Sequence, residues 1–178
     1  MEPFLRLVVA ILLVPALAGW ARDKSATTTL RTCTTAELKI RMVRSLVAAG
    51  NVGGFVGFTN RGSAPCRLTG WPTLVATRAG AAATARHVRG TMFGPSDTRV
   101  RTVTLRYGER ADAVFAGSDI ALSGETCPPP YRRLRVTPPG NSGSVVLSAW
   151  LRSLDAYLPS CSPIVVTMVV PASTLYKG

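Results

Sequence analysis

The stretch that decides the fold runs Leu38-Lys39-Ile40-Arg41-Met42-Val43, then Val52-Gly53-Gly54-Phe55-Val56-Gly57-Phe58-Thr59, then Asn60-Arg61-Gly62-Ser63. In the first segment apolar Leu38, Ile40 and Met42 alternate with Lys39, Arg41 and Val43. A period of two gives an extended strand one buried face and one mostly solvated face. The second segment is a glycine-rich strand in which Phe55 and Phe58 fall on opposite faces, so a β-bulge or burial on both faces is expected. The third is a turn, built from residues that tolerate or cap a tight reversal.

Working outward, the same strand-and-turn rhythm recurs at Thr73 to Thr77, Val100 to Leu105 and Ala111 to Phe115, the last two separated by Tyr107-Gly108-Glu109. It continues through Tyr131 to Thr137, where Leu134 and Val136 face inward and Arg133 and Arg135 outward, then Ser144 to Ala149 and Ile164 to Val170. Eight or nine short strands set apart by Gly/Pro turns predict an all-β antiparallel sandwich. Only the Ala-rich Gly80 to Arg89 and the segment Trp150 to Leu158 carry weak helical patterning. No internal repeat and no interdomain linker interrupts the chain.

The chain has 178 residues, 47% hydrophobic and 17% charged, with Lys+Arg 21 against Asp+Glu 9 and a formal net charge of +12. That apolar content supports one packed core and excludes a disordered chain or a coiled coil. Met1 to Arg6 forms a short head, Leu7 to Gly19 an uncharged apolar run, and Ala16-Leu17-Ala18 and Gly19-Trp20-Ala21 offer small residues for cleavage. This is the layout of a secretory signal peptide over residues 1–21, either cleaved or retained as an anchor. As a helix the run covers about 20 Å, less than the roughly 30 Å of bilayer hydrocarbon. Residues 22–32 then read as a flexible lead, 33–171 as the domain and 172–178 as a tail.

Cys33, Cys66, Cys127 and Cys161 all follow the export signal, and an even count outside the cytoplasm predicts two disulfides. Three pairings are possible. Spacings of 33 and 34 residues favour Cys33 with Cys66 and Cys127 with Cys161. A metal centre is not expected, because no CxxC pair occurs and the single histidine, His87, lies in a Gly/Ala/Arg-rich stretch.

Several strings resemble a known family: Cys33 with Leu38, Phe58-Thr-Asn60-Arg-Gly62-Ser-Ala-Pro65-Cys66-Arg-Leu-Thr-Gly70-Trp71-Pro72, Val103-Thr-Leu105 with Gly108 and Ala111, Cys127-Pro128, Leu134-Arg-Val136-Thr-Pro-Pro139, and Cys161. The family is the secreted actinobacterial one catalogued as domain of unknown function 4232, and the resemblance spans roughly residues 33 to 171. It implies an immunoglobulin-like sandwich, supports the same disulfide pairing and carries over no catalytic residue. Many relatives look like lipoproteins with a cysteine just after the signal, which this chain lacks. Arg106-Tyr107-Gly108 replaces a frequent Pro-Gly turn. Each string also has a purely structural reading: Asn60, Gly62 and Ser63 as turn residues, Pro65 extending the chain before Cys66, and Trp71 as core packing.

Catalytic constellations are weak. Gly140-Asn141-Ser142-Gly143-Ser144 approaches a nucleophile elbow but has Ser144 where the last glycine belongs. A Ser-His-Asp triad would need His87, flanked by Arg86 and Arg89, whose charges oppose an imidazolium. Nothing in the spacing of Glu109, Asp112, Asp119, Glu125 and Asp155 ties two carboxylates to one cleft. The expectation is therefore a secreted or cell-surface, non-catalytic binding module with no cofactor, meeting an unidentified protein or envelope component. A second reading is a polyanion-binding protein for wall polymer or anionic lipid, with Tyr131, Arg133 and Arg135 on one strand and Lys39 and Arg41 on another as its basic face. A cryptic secreted hydrolase stands behind both. No specific nucleic acid is expected, and membrane contact only if the signal segment is retained.

Overall fold

A computed structural model describes residues 30–91, 93–94, 99–121 and 125–175. The expected signal segment, residues 1–21, most of the lead, and 176–178 of the expected tail lie outside the described residues. After a short 3-10 turn at Thr35–Glu37 come β1 (Leu38–Ala48), β2 (Asn51–Asn60), β3 (Cys66–Thr69), β4 (Thr73–Arg78), β5 (Ala81–Thr84), β6 (Arg86–Val88) and β7 (Thr102–Leu105). There follow β8 (Arg110–Ser118), β9 (Arg133–Thr137), β10 (Val145–Ser148), β11 (Trp150–Leu151), β12 (Ala156–Tyr157), β13 (Val165–Thr167), β14 (Val170–Pro171) and one helical turn, α1 (Ala172–Leu175).

The fold is all-β. One sheet runs β1-β2-β8-β13-β6 with β14 also on β8, and a second runs β10-β9-β4-β5. Two-stranded pairs β3-β7 and β11-β12 complete it. Both larger sheets feed one buried cluster, with Leu38, Ile40, Val56, Phe58 and Phe115 from the first and Leu74, Ala76, Leu134 and Val136 from the second. Among the described residues, pairing is antiparallel except where β6 lies parallel to β13 and at an isolated bridge between Thr32 and Arg67, a departure from the expected all-antiparallel arrangement.

Alternation predicts β1 and β9 well: exposed Lys39 and Arg41 alternate with buried Leu38 and Ile40, and exposed Arg133 and Arg135 with buried Leu134 and Val136. β2 is buried on both faces, since it lies between β1 and β8 and its outer face is also covered. Its glycines answer to crowding. A Cβ on Gly53 would sit 2.1 Å from the Phe115 carbonyl oxygen, and one on Gly57 2.9 Å from both Arg110 Cδ and Asp112 Oδ1.

Three local expectations give way to tertiary pairing. Gly80 to Arg89 is not helical. Instead β5 folds back on β4, Ala85 N–H donates to Leu74 O, and Arg86 N–H donates to Ile164 O. Cross-strand partners outweigh alanine's helix preference, a difference of tenths of a kcal/mol per residue. Trp150 to Leu158 forms the β11-β12 pair, closed by a turn in which Asp155 takes φ 50°, a left-handed conformation no α-helix continues. The strand expected over Ile164 to Val170 splits in two. Thr167 Oγ1 accepts Val114 N–H at 3.0 Å and donates to Met168 O, while Val169 N–H turns away to Gly70 O.

Both disulfides pair as the spacing favours. Cys33–Cys66 is fully buried, whereas Cys127–Cys161 ties two surface loops. Asn60, at 0% exposure, holds the neighbouring turns together. Its side-chain amide donates to Ala64 O and Leu105 O, and its oxygen accepts Gly62 N–H. Asn60→Ala leaves those buried groups without their partner and should lower stability by about 2 to 4 kcal/mol in urea unfolding. A loss under about 0.5 kcal/mol would contradict this role, since surface substitutions reach that much.

A polar clamp secures the entry to the domain. Arg31 grips Glu37 through two 2.6 Å contacts, and Thr34 donates to Glu37 Oε2 from both its N–H and its hydroxyl. These donors, the Arg31 guanidinium first, hold the Glu37 carboxyl down from 4.5 to about 2. A depressed carboxylate contributes stability above its unfolded pKa and loses it as pH falls through the folded one. The stability gap between wild type and Glu37→Gln should therefore be flat at neutral pH, begin to narrow near 4.5 and close near 2. Urea titrations across that range check it, and a gap that persists in full at the acid end would refute the assignment.

Candidate functional site

Among the described residues, a cleft of about 1030 Å³ lies between β1 and the β10-β11-β12 segment. Its lining includes Arg41, Arg44 and Arg152 together with Met42, Leu147 and Trp150, and no carboxylate. The two walls are joined directly, because Ser153 N–H, in the turn after β11, donates to Ser45 Oγ of β1 at 2.9 Å. Met42 and Leu147 pack inward against the core, which fixes the apolar part of the lining.

Arg41 and Arg44 share a face only because β1 is irregular. Three residues apart on a regular strand, they would point to opposite sides. The register shifts between Met42 and Arg44, so that Arg41 pairs with Gly57 and Arg44 with Phe55, two positions apart on β2. The extra residue, Val43, is a β-bulge that re-aims Arg44 toward the side of Arg41. The bulge therefore lies in β1 and not in the glycine-rich strand β2, which meets its own expectation through burial on both faces. Arg41, Arg44 and Arg152 are all exposed, and among the described residues none has a carboxylate within ion-pair distance.

The aromatic wall is built by the β11-β12 pair. Trp150 lies opposite Tyr157, ring centroids 4.9 Å apart at 83°, and the Arg132 guanidinium sits 4.2 Å above the Tyr157 ring. Edge-to-face rings and a stacked guanidinium are mutually favourable and stiffen that wall. Trp150 keeps 38% of its surface exposed and so presents part of its indole to the cleft.

Of the residues singled out in the sequence, Arg41 reaches the cleft, and Lys39 lies on the same face of β1 two positions earlier. Arg133 and Arg135 are exposed on the second sheet, beside Ser148 and Val146 of β10 and Thr77 and Val75 of β4. Tyr131 does not join them. It lies before β9 begins, its N–H donates to Leu158 O, and at 7% exposure its ring belongs to the core. Alternation from Arg135 back through Arg133 does not extend to it, because the ladder has ended. Arg44, Trp150 and Arg152 were not anticipated. Arg44 alone left a trace, as a cation that breaks the alternation of β1.

The motifs weighed for catalysis have structural partners. In the turn between β9 and β10, Asn141 accepts from Thr35 N–H and donates to Cys33 O and Pro139 O, which fastens the turn to the buried disulfide. No helix follows Ser142, so this is not a nucleophile elbow. His87 stacks on Trp71 with centroids 5.7 Å apart, and Trp71 Nε1–H donates to Val88 O at 2.8 Å. Trp71 is thus half-buried and anchored.

The fold and cleft define an all-β domain, braced by two disulfides, with an arginine- and tryptophan-lined groove. The chain belongs to the family described as "Domain of unknown function (DUF4232)", whose pattern matches residues 33–168. No curated protein and no solved structure matches it.

Proposed function

We propose that this protein is an exported, non-catalytic binding module with an immunoglobulin-like sandwich, and that it holds an anionic component of the cell envelope in the cleft beside β1. The observation that carries the reading is the convergence of Arg41, Arg44 and Arg152 on one cleft without a carboxylate to balance them. Like charges are held close only at a cost, and a bound anion removes it. The net charge of +12 adds a long-range attraction of the same sign. Export is supported by the signal-like leader and by two disulfides, which oxidising compartments maintain. A non-catalytic role is supported by the structural duties of Asn141 and His87. The sandwich reading is supported by the shared core of the two larger sheets and by the family resemblance.

The test is binding of the purified exported protein to its own wall polymer over a salt series. Affinity should fall steeply with ionic strength as counterions are released. Arg44→Gln and Arg152→Gln should each lower it roughly tenfold and flatten the slope, because a charge-assisted hydrogen bond contributes about 1.5 to 3 kcal/mol. Binding indifferent to salt and to both substitutions would reject the assignment.

A further inference from the structure

The cleft contains more than an anion site requires. A phosphate or carboxylate needs only cations and N–H donors. Yet this groove also presents a partly exposed tryptophan, the apolar side chains Met42 and Leu147, and three hydroxyls, Ser45, Ser148 and Ser153. Ser45 Oγ accepts Ser153 N–H and Ser148 Oγ accepts Trp150 N–H. Each of those oxygens accepts one bond, so each hydroxyl keeps its proton and a second lone pair for a ligand.

Flat apolar surface, hydroxyl partners and clustered guanidinium groups together match one ligand chemistry. We propose that the cleft takes a carbohydrate bearing an acidic group, its ring against Trp150 and its carboxylate or phosphate among Arg41, Arg44 and Arg152. This rests on the reading of the cleft as an anion site and names its ligand class. The C–H face of a sugar ring is apolar and covers an indole, while its hydroxyl edge remains polar and finds the serines. The bulge at Val43 sets the spacing, since without it Arg44 would face the core and Arg41 would be left as the one guanidinium that β1 brings to the groove. The volume, about 1030 Å³, lies at the upper end of ordinary ligand sites and suits a short oligomer more than a single small anion.

The experiment measures equilibrium binding of the full exported protein to five probes: a uronic-acid tetrasaccharide, a phosphorylated tetrasaccharide, a neutral tetrasaccharide, tripolyphosphate and single-stranded DNA. One or both acidic saccharides should bind at least about tenfold tighter than the neutral saccharide and than tripolyphosphate. Trp150→Ala should weaken saccharide binding about tenfold and leave tripolyphosphate within about twofold, whereas Arg44→Gln should weaken both. Trp150→Phe, which keeps a ring in the β11-β12 pair, should recover part of the saccharide affinity and so separates stacking from misfolding. If tripolyphosphate or DNA binds as well as the acidic saccharides and Trp150→Ala changes nothing, the saccharide inference fails and the anion cleft stands. If no anionic probe binds, the proposed function fails with it.

Discussion

Replacing Cys33 and Cys66 together by alanine should lower stability by about 3 to 4 kcal/mol through the freed unfolded chain, and by roughly 1 kcal/mol more through lost packing. The sequence separation is 33, and both sulfurs are fully buried in the common cluster with Leu38 and Leu68. Removing Cys127–Cys161, separation 34, should cost the loop contribution without the packing one, because that bridge lies at the surface. Urea unfolding of the two double variants at one pH gives the comparison directly. The core bridge must be the costlier loss. A typical domain is stable by only about 5 to 15 kcal/mol, so this loss removes a large share of the total. Equal losses would mean that the buried sulfurs add nothing beyond chain connectivity.

Arg110→Met should cost about 3 to 5 kcal/mol, the penalty of removing a guanidinium partner from a buried ion. Asp112, at 0% exposure, lies beneath Arg110, with Nε–Oδ1 at 2.8 Å and Nη2–Oδ2 at 3.1 Å. The space they share exists because position 57 has no Cβ. The double variant Arg110→Met/Asp112→Asn should recover more than half of the loss, since the buried charge that lost this guanidinium is then gone. Without that recovery, the guanidinium would be acting by packing alone. The same geometry makes Gly57 intolerant of a side chain, so the glycine-rich texture of β2 is linked to an ion pair on β8.

Much of this architecture can be read from residue order where one strand obeys one rule. Lys39 and Arg41 point outward between Leu38 and Ile40, Arg133 and Arg135 do so around Leu134, and two nearly equal cysteine spacings match the observed bridges. Reading fails where a distant partner decides. Ala81 to Thr84 is extended because β4 is there to pair with it, which no local propensity encodes. Trp150 to Tyr157 has an apolar spacing compatible with a helix, but the left-handed backbone at Asp155 and the Trp150–Tyr157 contact make it a hairpin.

The cleft was the least legible feature for the same reason. Arg41 could be nominated from alternation, but Arg44 joins it through a register shift visible only once β2 is in place. Arg152 and Trp150 reach the groove from more than 100 positions away in the chain, by way of the bond from Ser153 to Ser45. Tyr131 shows the converse error. Counting in twos past the end of the ladder puts it on a basic face, whereas its ring is buried in the core.

The most direct measurement is an amide NMR titration of the isotopically labelled protein with an acidic wall polysaccharide at low salt. Binding in the cleft predicts shifts concentrated at residues 41–45 and 147–157, with the Trp150 indole among the largest. Shifts centred on Arg133 and Arg135, or spread evenly over the basic surface, would place the interaction elsewhere and contradict the account.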